Sequence, residues 1–214
     1  DEQIRQAIEQ RPTVGMSFPG ADTLALIDDE VSWLQSDGSM YNVVTMVMHA
    51  LNQEGRDELT QMTIRRGGIH QLLNAYAVNA SGQRIEASSI RGRTVRYRQL
   101  DVGSTVVLQY RIDERPEPYL SGHISRSFWF NSINAATRKG RWVLWTDGDE
   151  TVHQDLAGDV GFVEATIDSH RRLEWQAQNV AALFAEPGMP SLSEVAARVT
   201  VSTVPSWSVF QEWE

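Results

Sequence analysis

Histidine and serine are the residues that could run hydrolytic chemistry in this chain. A serine hydrolase needs an activated serine, a histidine base within hydrogen-bond reach and an oxyanion donor. The sequence has no Gly-x-Ser-x-Gly motif, and its five histidines are scattered singly. His49 lies in an apolar run, so we interpret it as a packed structural imidazole. A free-standing hydrolase is therefore the third of our functional hypotheses.

A short acidic stretch is the next candidate for chemistry. Asp147, Asp149 and Glu150 form a carboxylate cluster of the kind that suits Ca²⁺. The EF-hand pattern, however, wants glycine at the sixth loop position, where Val152 stands. We therefore interpret the stretch as a solvated acidic turn, keep the three acids only as weak metal-ligand candidates, and expect no cofactor. The chain's 28 acids also make any single pair uninformative about glycoside hydrolysis.

Tryptophan offers a binding chemistry instead, because its ring can stack on a sugar, a peptide or a neighbouring domain. Trp142 and Trp145 are three residues apart, so a strand sends their side chains to opposite faces. Alternation likewise sends Trp129 opposite to Phe128 and Phe130. We predict that Trp129, Trp142 and Trp145 are candidates for ligand binding or domain contact, against the alternative that a large sandwich covers both faces.

The last ten residues start a helix. Ser208 and Gln211 have capping-box spacing, and Trp207, Phe210 and Trp213 begin an apolar stripe. A helix of one or two turns is marginal alone. We therefore expect the natural polypeptide to continue beyond Glu214, and we add Trp207 and Trp213 to the candidates for an interdomain contact.

The charge of the chain excludes some partners. A formal charge of −9 and a pI near 5.0 argue against nucleic acid and against anionic membrane surfaces. Four arginines are a local exception, namely Arg91, Arg93, Arg96 and Arg98. We interpret them as a solvated strand face that pairs with nearby acids.

Cysteine is absent from the sequence. This removes thiol nucleophiles, cysteine zinc sites and disulfides from the chain itself. No apolar run approaches the eighteen or so residues of a membrane span, so we expect no membrane insertion. Neither observation decides the compartment.

The elements that would position these residues are mostly strands. Alternating or apolar runs occupy Leu24 to Gln35, Met40 to Asn52 and the segments that begin at Val106, Leu173 and Val199. Turns rich in glycine and aspartate separate them at short intervals. The pattern predicts an all-β protein, an antiparallel two-sheet β-sandwich that is immunoglobulin-like or larger.

A few helical pieces accompany the strands. Ile4, Ala7 and Ile8 have helical spacing in the first ten residues, which we interpret as the end of an upstream helical region. Short helices are also predicted around Gln178 to Ala185 and Ser191 to Val195. Residues 53 to 56 are predicted as a hairpin turn.

Several segments, in order, resemble the transglutaminase-associated bacterial domain of unknown function. They are ADTLALIDDEVSW, VMHALNQEGRDE, LLNAYAVNASGQRIEAS, LDVGSTVVLQYRID, FWFNS with RWVLW, and LEWQAQNVAALFAEPGMPS with VTVSTVPSWSVFQEW. The resemblance runs from about Gly20 to Glu214. Its most specific part is the tryptophan strand that leads to Glu186, Pro187, Pro190 and Ser191, followed by the closing Ser-Trp.

The resemblance implies a β-sandwich module that precedes a transglutaminase-like domain in an exported or periplasmic protein. Residues 1–19 are then the tail of an upstream helical or helical-repeat region. Residues 20–204 are the sandwich, and residues 205–214 begin the first helix of the downstream domain. A catalytic Cys, His and Asp would lie beyond Glu214, and the module itself would carry no catalytic residue.

These observations leave three hypotheses. The first is a non-catalytic accessory domain that packs against the downstream domain and assists its substrate recognition. The second is an independent module that binds glycans or peptides through a surface tryptophan such as Trp129 or Trp142. The third is the hydrolase described above.

Overall fold

The computed structural model describes residues 2–13, 18–65, 69–120, 122–147 and 149–205. Strands dominate this part of the chain. The helices are α1 (Glu2–Glu9), α2 (Gln53–Leu59) and α3 (Leu192–Val195), with a 3₁₀ turn at Pro118–Leu120. The strands are β1 (Thr23–Leu34), β2 (Met40–Ala50), β3 (Gln61–Thr63), β4 (Ile69–Val78), β5 (Arg84–Glu86), β6 (Ser89–Arg91), β7 (Thr94–Arg96), β8 (Thr105–Glu114), β9 (Ser125–Trp129), β10 (Ala135–Asp147), β11 (His153–Ala157), β12 (Gly161–Ile167), β13 (His170–Val180) and β14 (Arg198–Ser202).

One large sheet forms the body of the molecule. Its eight strands follow the order β12-β13-β10-β1-β2-β8-β4-β5. The central strands β1 and β10 pair in parallel, with Thr23 opposite Ala135 and Trp33 opposite Trp145, while their other neighbours are antiparallel. The prediction of a predominantly β fold is confirmed. The sheet is nevertheless mixed, because a long connection brings β10 beside β1 in the same direction.

Two three-stranded sheets cover one face of the large sheet, here called the inner face. The sheet β3-β7-β6 buries Met62 and Val95 against inner-face residues of β2 and β8 such as Leu108. The sheet β11-β14-β9 buries Val199 and Val201 against inner-face residues of β10 and β13. The inner face therefore carries two apolar clusters, each under its own small sheet.

The opposite, outer face is covered at one end by α1. Ile4 is buried there in a cluster with Leu26, Ile27 and Val47. The α1 segment is helical as predicted, and it packs on the sheet through its apolar stripe. The other end of the outer face carries half-buried and charged side chains, which are described below.

Two local predictions of secondary structure were wrong and a third was confirmed. Residues 53–59 form α2, where a turn was predicted, because the Asn52 side chain caps the helix by accepting a hydrogen bond from Gly55 N at 2.9 Å. The helix predicted around residues 178–185 is wrong, since β13 continues to Val180 in the large sheet. The short helix predicted near Ser191 is confirmed as α3. In the described part of the chain, every helix is too short or too polar to cross a membrane.

Candidate functional site

A groove runs between the two covering sheets on the inner face. Its cavity measures about 390 Å³. Strand β1 forms the floor with Asp28 and Glu30, Trp129 at the end of β9 forms one wall, and Arg65 after β3 forms the other. The groove exists because each small sheet covers only one apolar cluster and leaves the polar floor of β1 between them.

A bidentate ion pair lies in the groove. Arg65 donates from Nη1 and Nη2 to the two oxygens of Asp28, at 3.0 Å and 2.8 Å. Asp28 is only 7% exposed. The Asp28 carboxylate raises the pKa of the Arg65 guanidinium, so the guanidinium stays charged at any physiological pH. This fork closes one side of the groove and fixes the arginine.

Polar contacts continue along β1 below the surface. Ser32 donates to Glu30 at 3.3 Å and accepts from the Trp142 indole N–H at 3.0 Å. On the neighbouring strands, Asn42 and Arg126 both hold Glu114, with the Asn42 amide 3.0 Å from its carboxylate. These groups lie on the inner face between the two apolar clusters. They form a polar seam of buried acids, each held by a donor.

A second candidate site lies on the outer face, beyond α1. Trp33, Tyr41 and Trp145 stand directly opposite one another on three adjacent strands, and we call them the aromatic row. All three are half-buried. The cavity beside the row measures about 460 Å³ and is bounded by the β1–β2 turn and the start of β13.

The ring geometry of the aromatic row decides what it can bind. Trp33 and Tyr41 are stacked, with centroids 5.1 Å apart and planes at 19°. The guanidinium of Arg111 lies 5.2 Å from the Tyr41 centroid, and that of Arg172 lies 6.0 Å from the Trp145 centroid. The stack therefore uses one face of Trp33 and one face of Tyr41, which reduces the ring surface that remains for a partner.

Ion pairs surround the row and hold its neighbours in place. Arg141 forms a bidentate pair with Asp29 at 2.7 Å and 2.9 Å and lies 3.9 Å from Glu174, which also pairs with Arg172. Among the described residues, none accepts a hydrogen bond from the indole N–H groups of Trp33 and Trp145. Polar groups of the row are therefore available to a partner.

The tryptophans predicted as binding candidates differ in exposure and in location. Trp142 is 0% exposed and stacks with Phe128 at 6.2 Å, so it offers no surface to a ligand. Trp145 points to the opposite face, as strand alternation predicts, and belongs to the aromatic row. Trp129 is half-buried and lines the groove. Trp207 and Trp213 lie outside the described residues.

The acidic turn shows no site. In the described ranges, no three acids or histidines are grouped so that they could hold a metal ion. Asp147 lies 3.5 Å from His170 and closes a turn by accepting from Glu150 N at 3.3 Å. Asp149 is a turn residue, and Asp147, Asp149 and Glu150 all remain predictions as weak metal-ligand candidates.

His49 is buried in the large sheet, as predicted. Its Nδ1 lies 2.9 Å from the Thr105 hydroxyl, and the residue is 1% exposed. Burial, with smaller contributions from Arg11 and Arg138, lowers the pKa of His49 to about 4. The imidazole is neutral at physiological pH and takes a structural place in the sheet.

Sequence reasoning missed two features of these sites. The buried acids Asp28 and Glu30 interrupt a strand that is otherwise mostly apolar, and that interruption is the signal that marks them. Trp33 and Tyr41 flank a short turn on neighbouring strands, so their pairing follows from the hairpin register. Trp145 joins them only through the parallel β1–β10 pair, which no local pattern indicates.

Comparison with known proteins shows the fold. No protein-family model and no curated protein sequence matches the chain. Among solved structures, a putative protease from Parabacteroides distasonis is similar over 88% of this chain, with a TM-score of 0.75 and 16% identity. An M1 zinc metallopeptidase from Deinococcus radiodurans matches over 88% of the chain with a TM-score of 0.43 and 11% identity. The chain spans 41% and 44% of those two proteins.

Proposed function

We propose that this chain is a non-catalytic accessory domain that docks onto a neighbouring transglutaminase-like domain of the same bacterial, exported protein and assists its substrate recognition. The aromatic row is the observation that carries the proposal. It places Trp33, Tyr41 and Trp145 side by side on a part of the sheet that is half-open in the described structure. Tryptophan and tyrosine are enriched at protein interfaces, because the apolar ring packs against the partner and the N–H or O–H group forms a hydrogen bond.

The ring geometry favours a protein partner over a sugar. A sugar stacks on the open face of an aromatic ring, and the mutual stack removes one face of Trp33 and one face of Tyr41 from such contact. Ring edges and indole N–H groups suit the uneven surface of a folded domain, with carbonyl oxygens as acceptors. The ion pairs of Arg141 with Asp29 and Glu174 provide a polar rim of the kind that surrounds an interface core.

Two further observations support an accessory role. The similar P. distasonis chain is longer, and the shared fold covers 41% of it, so this fold occurs there beside further polypeptide. The sequence also contains no cysteine, so a cysteine-dependent transferase or protease site has to be supplied by another domain. The resemblance to the transglutaminase-associated family names which domain that is.

The test measures binding in trans between this chain and the separately purified downstream region of its parent protein. We expect each to raise the melting temperature of the other. The double variant Trp33→Ala with Trp145→Ala should weaken the affinity about thirtyfold or more, since interface tryptophans are frequent hot spots.

The matched control replaces exposed apolar residues away from the aromatic row. Ile90 and Phe184 are 53% and 55% exposed, and the variant Ile90→Ala with Phe184→Ala should bind as the parent does. Docking through the aromatic row is contradicted if this chain and the downstream region do not stabilise each other. It is also contradicted if the two double variants bind the downstream region equally.

The groove favours a second candidate function, a module that binds glycans or peptides. Trp129 lines it together with the ion pair of Arg65 and Asp28, which combines an aromatic surface with charged groups. Saturable quenching of tryptophan fluorescence by peptidoglycan fragments, oligosaccharides or peptides would support this function. Binding that survives Trp129→Ala would locate the ligand elsewhere.

A further inference from the structure

The outer side of the small sheet β3-β7-β6 carries a row of arginines, which we call the arginine face. It consists of Arg91, Arg96 and Arg98, and all three are exposed. They line one concavity together with Ser88, Ser89, Thr60 and Gln61, and its volume is about 390 Å³. This surface is separate from both the aromatic row and the groove.

Strand register places Arg91 and Arg96 as neighbours on one side of the small sheet. Arg96 lies on the central strand β7, directly between Gln61 of β3 and Ser89 of β6. The neighbouring residue Val95 is 0% exposed and faces the core, so Arg96 faces outward. Arg91 is two positions beyond Ser89 on β6, a diagonal neighbour about 7 Å away.

Arg98 is the third member of the arginine face. It is two residues beyond Arg96 along the chain, about 7 Å in extended backbone. The buried Tyr97 between them is held by a hydrogen bond from its N–H to the Thr60 carbonyl at 2.9 Å. The Cα positions of the three arginines therefore follow one another at intervals of about 7 Å.

These arginines lack the acid partners that several other exposed arginines have. Arg5, Arg84 and Arg111 each form an ion pair with a carboxylate at 2.6 to 2.7 Å. Within the described ranges, Arg91, Arg96 and Arg98 make no ion pair, and the pairing expected from sequence is not found. The chain has 28 acidic residues, so the local positive charge is left uncompensated despite plentiful acids.

The donor set of the surface indicates its ligand. Guanidinium groups only donate hydrogen bonds, and the Ser89 hydroxyl and Gln61 amide add further donors beside Arg96. Such a donor-rich surface complements carboxylates. Alternate side chains of an extended peptide are about 6.7 Å apart, which matches the interval between the arginines.

We propose that the arginine face binds an extended, acidic polypeptide segment with carboxylates at alternate positions. Each carboxylate takes one guanidinium, and the side chains between them point to solvent. A nucleic acid fits less well, because the overall charge of −9 repels a long polyanion that extends past the face. A short segment meets only the local positive charge.

The test uses two fluorescent peptides of equal composition and charge, (Glu-Thr)₄ and Glu₄Thr₄. We expect fluorescence anisotropy at about 50 mM salt to show that (Glu-Thr)₄ binds several-fold more tightly, because only its carboxylates match the arginine spacing. Equal binding of the two peptides, or no binding of (Glu-Thr)₄ below about 1 mM, would overturn the proposal.

The site is located with two triple variants of equal charge. Arg91→Ala, Arg96→Ala and Arg98→Ala together should weaken (Glu-Thr)₄ binding about tenfold or more. Arg5→Ala, Arg84→Ala and Arg115→Ala together remove the same charge from exposed positions elsewhere and should weaken it far less. Equal losses would show a response to net charge only and would overturn the site. Tighter binding of a twelve-residue oligothymidylate than of (Glu-Thr)₄ would overturn the choice of ligand.

Discussion

The buried imidazole of His49 shows how one residue can couple this fold to pH. Burial holds the pKa of His49 at about 4 in the folded state, against 6.5 for a solvated histidine side chain. Between these values the unfolded chain binds a proton at this residue and the folded chain does not. The folded state therefore loses stability as the pH falls from 6.5 to about 4.

His49 should lower the free energy of unfolding by on the order of 3 kcal/mol as the pH falls from 6.5 to about 4. In His49→Gln this contribution disappears, so urea unfolding at a series of pH values should show a shallower fall for the variant than for the parent. His153→Gln, at an exposed position, is the control and should keep the parent profile. Parallel profiles for parent and His49→Gln would contradict the prediction.

The buried acids of the polar seam depend on donors from other segments of the chain. Asp28, Glu30 and Glu114 lie on the inner face between its two apolar clusters, and each is held by an arginine, a hydroxyl or an amide. A buried carboxylate persists only when such donors are present. The strand position of the acids could be read from their spacing, whereas Arg65 and Arg126 come from distant parts of the chain.

At the scale of elements, the short helix α2 shows how tertiary contact overrides local preference. Glycine costs up to about 1 kcal/mol in a helix relative to alanine, so Gly55 argues against a helix when only the sequence is considered. The structure keeps glycine there because a Cβ on Gly55 would lie 1.9 Å from the Asp22 carbonyl oxygen. The helix packs so closely against the start of β1 that only hydrogen fits.

Gly55→Ala should therefore destabilise the fold, where helix propensity alone predicts stabilisation. We expect a loss of about 1 to 3 kcal/mol in the free energy of unfolding, from forced displacement of backbone. Glu54→Ala, exposed in the same helix, is the control and should change stability by no more than about 0.5 kcal/mol. A Gly55→Ala variant as stable as the parent would contradict the close contact.

At the scale of the whole molecule, one sheet joins two apolar clusters. Leu108 lies in the cluster under β3-β7-β6, and Leu144 lies in the cluster under β11-β14-β9, and both are 0% exposed. Leu144 on β10 and Leu108 on β8 are separated by strands β1 and β2 of the same hydrogen-bonded sheet. We therefore expect the two halves to unfold together.

Leu108→Ala and Leu144→Ala should each lower the free energy of unfolding by about 2 to 5 kcal/mol through cavity formation. Trp142 and Trp175 both lie in the Leu144 cluster, so tryptophan fluorescence reports on that half. The Leu108→Ala variant should nevertheless shift the fluorescence and circular-dichroism transitions together. Separate transitions in this variant would show that the clusters unfold independently.

Local periodicity was sufficient for the strands and for the direction of their side chains. Alternation placed Trp142 and Trp145 on opposite faces, and the structure confirms this placement. Such inferences succeed because a strand sends successive side chains to opposite faces wherever it lies in the chain. The predominantly β character of the protein followed from the same property.

Only the tertiary structure decided which strands became neighbours and which charges found partners. The parallel pairing of β1 with β10 joins residues more than one hundred positions apart, and it brings Trp145 beside Trp33. The short interval between Arg91, Arg96 and Arg98 was visible in the sequence, but their lack of acid partners was not, because an ion pair depends on groups brought together from separate segments. Long-range contacts like these determine both the aromatic row and the arginine face.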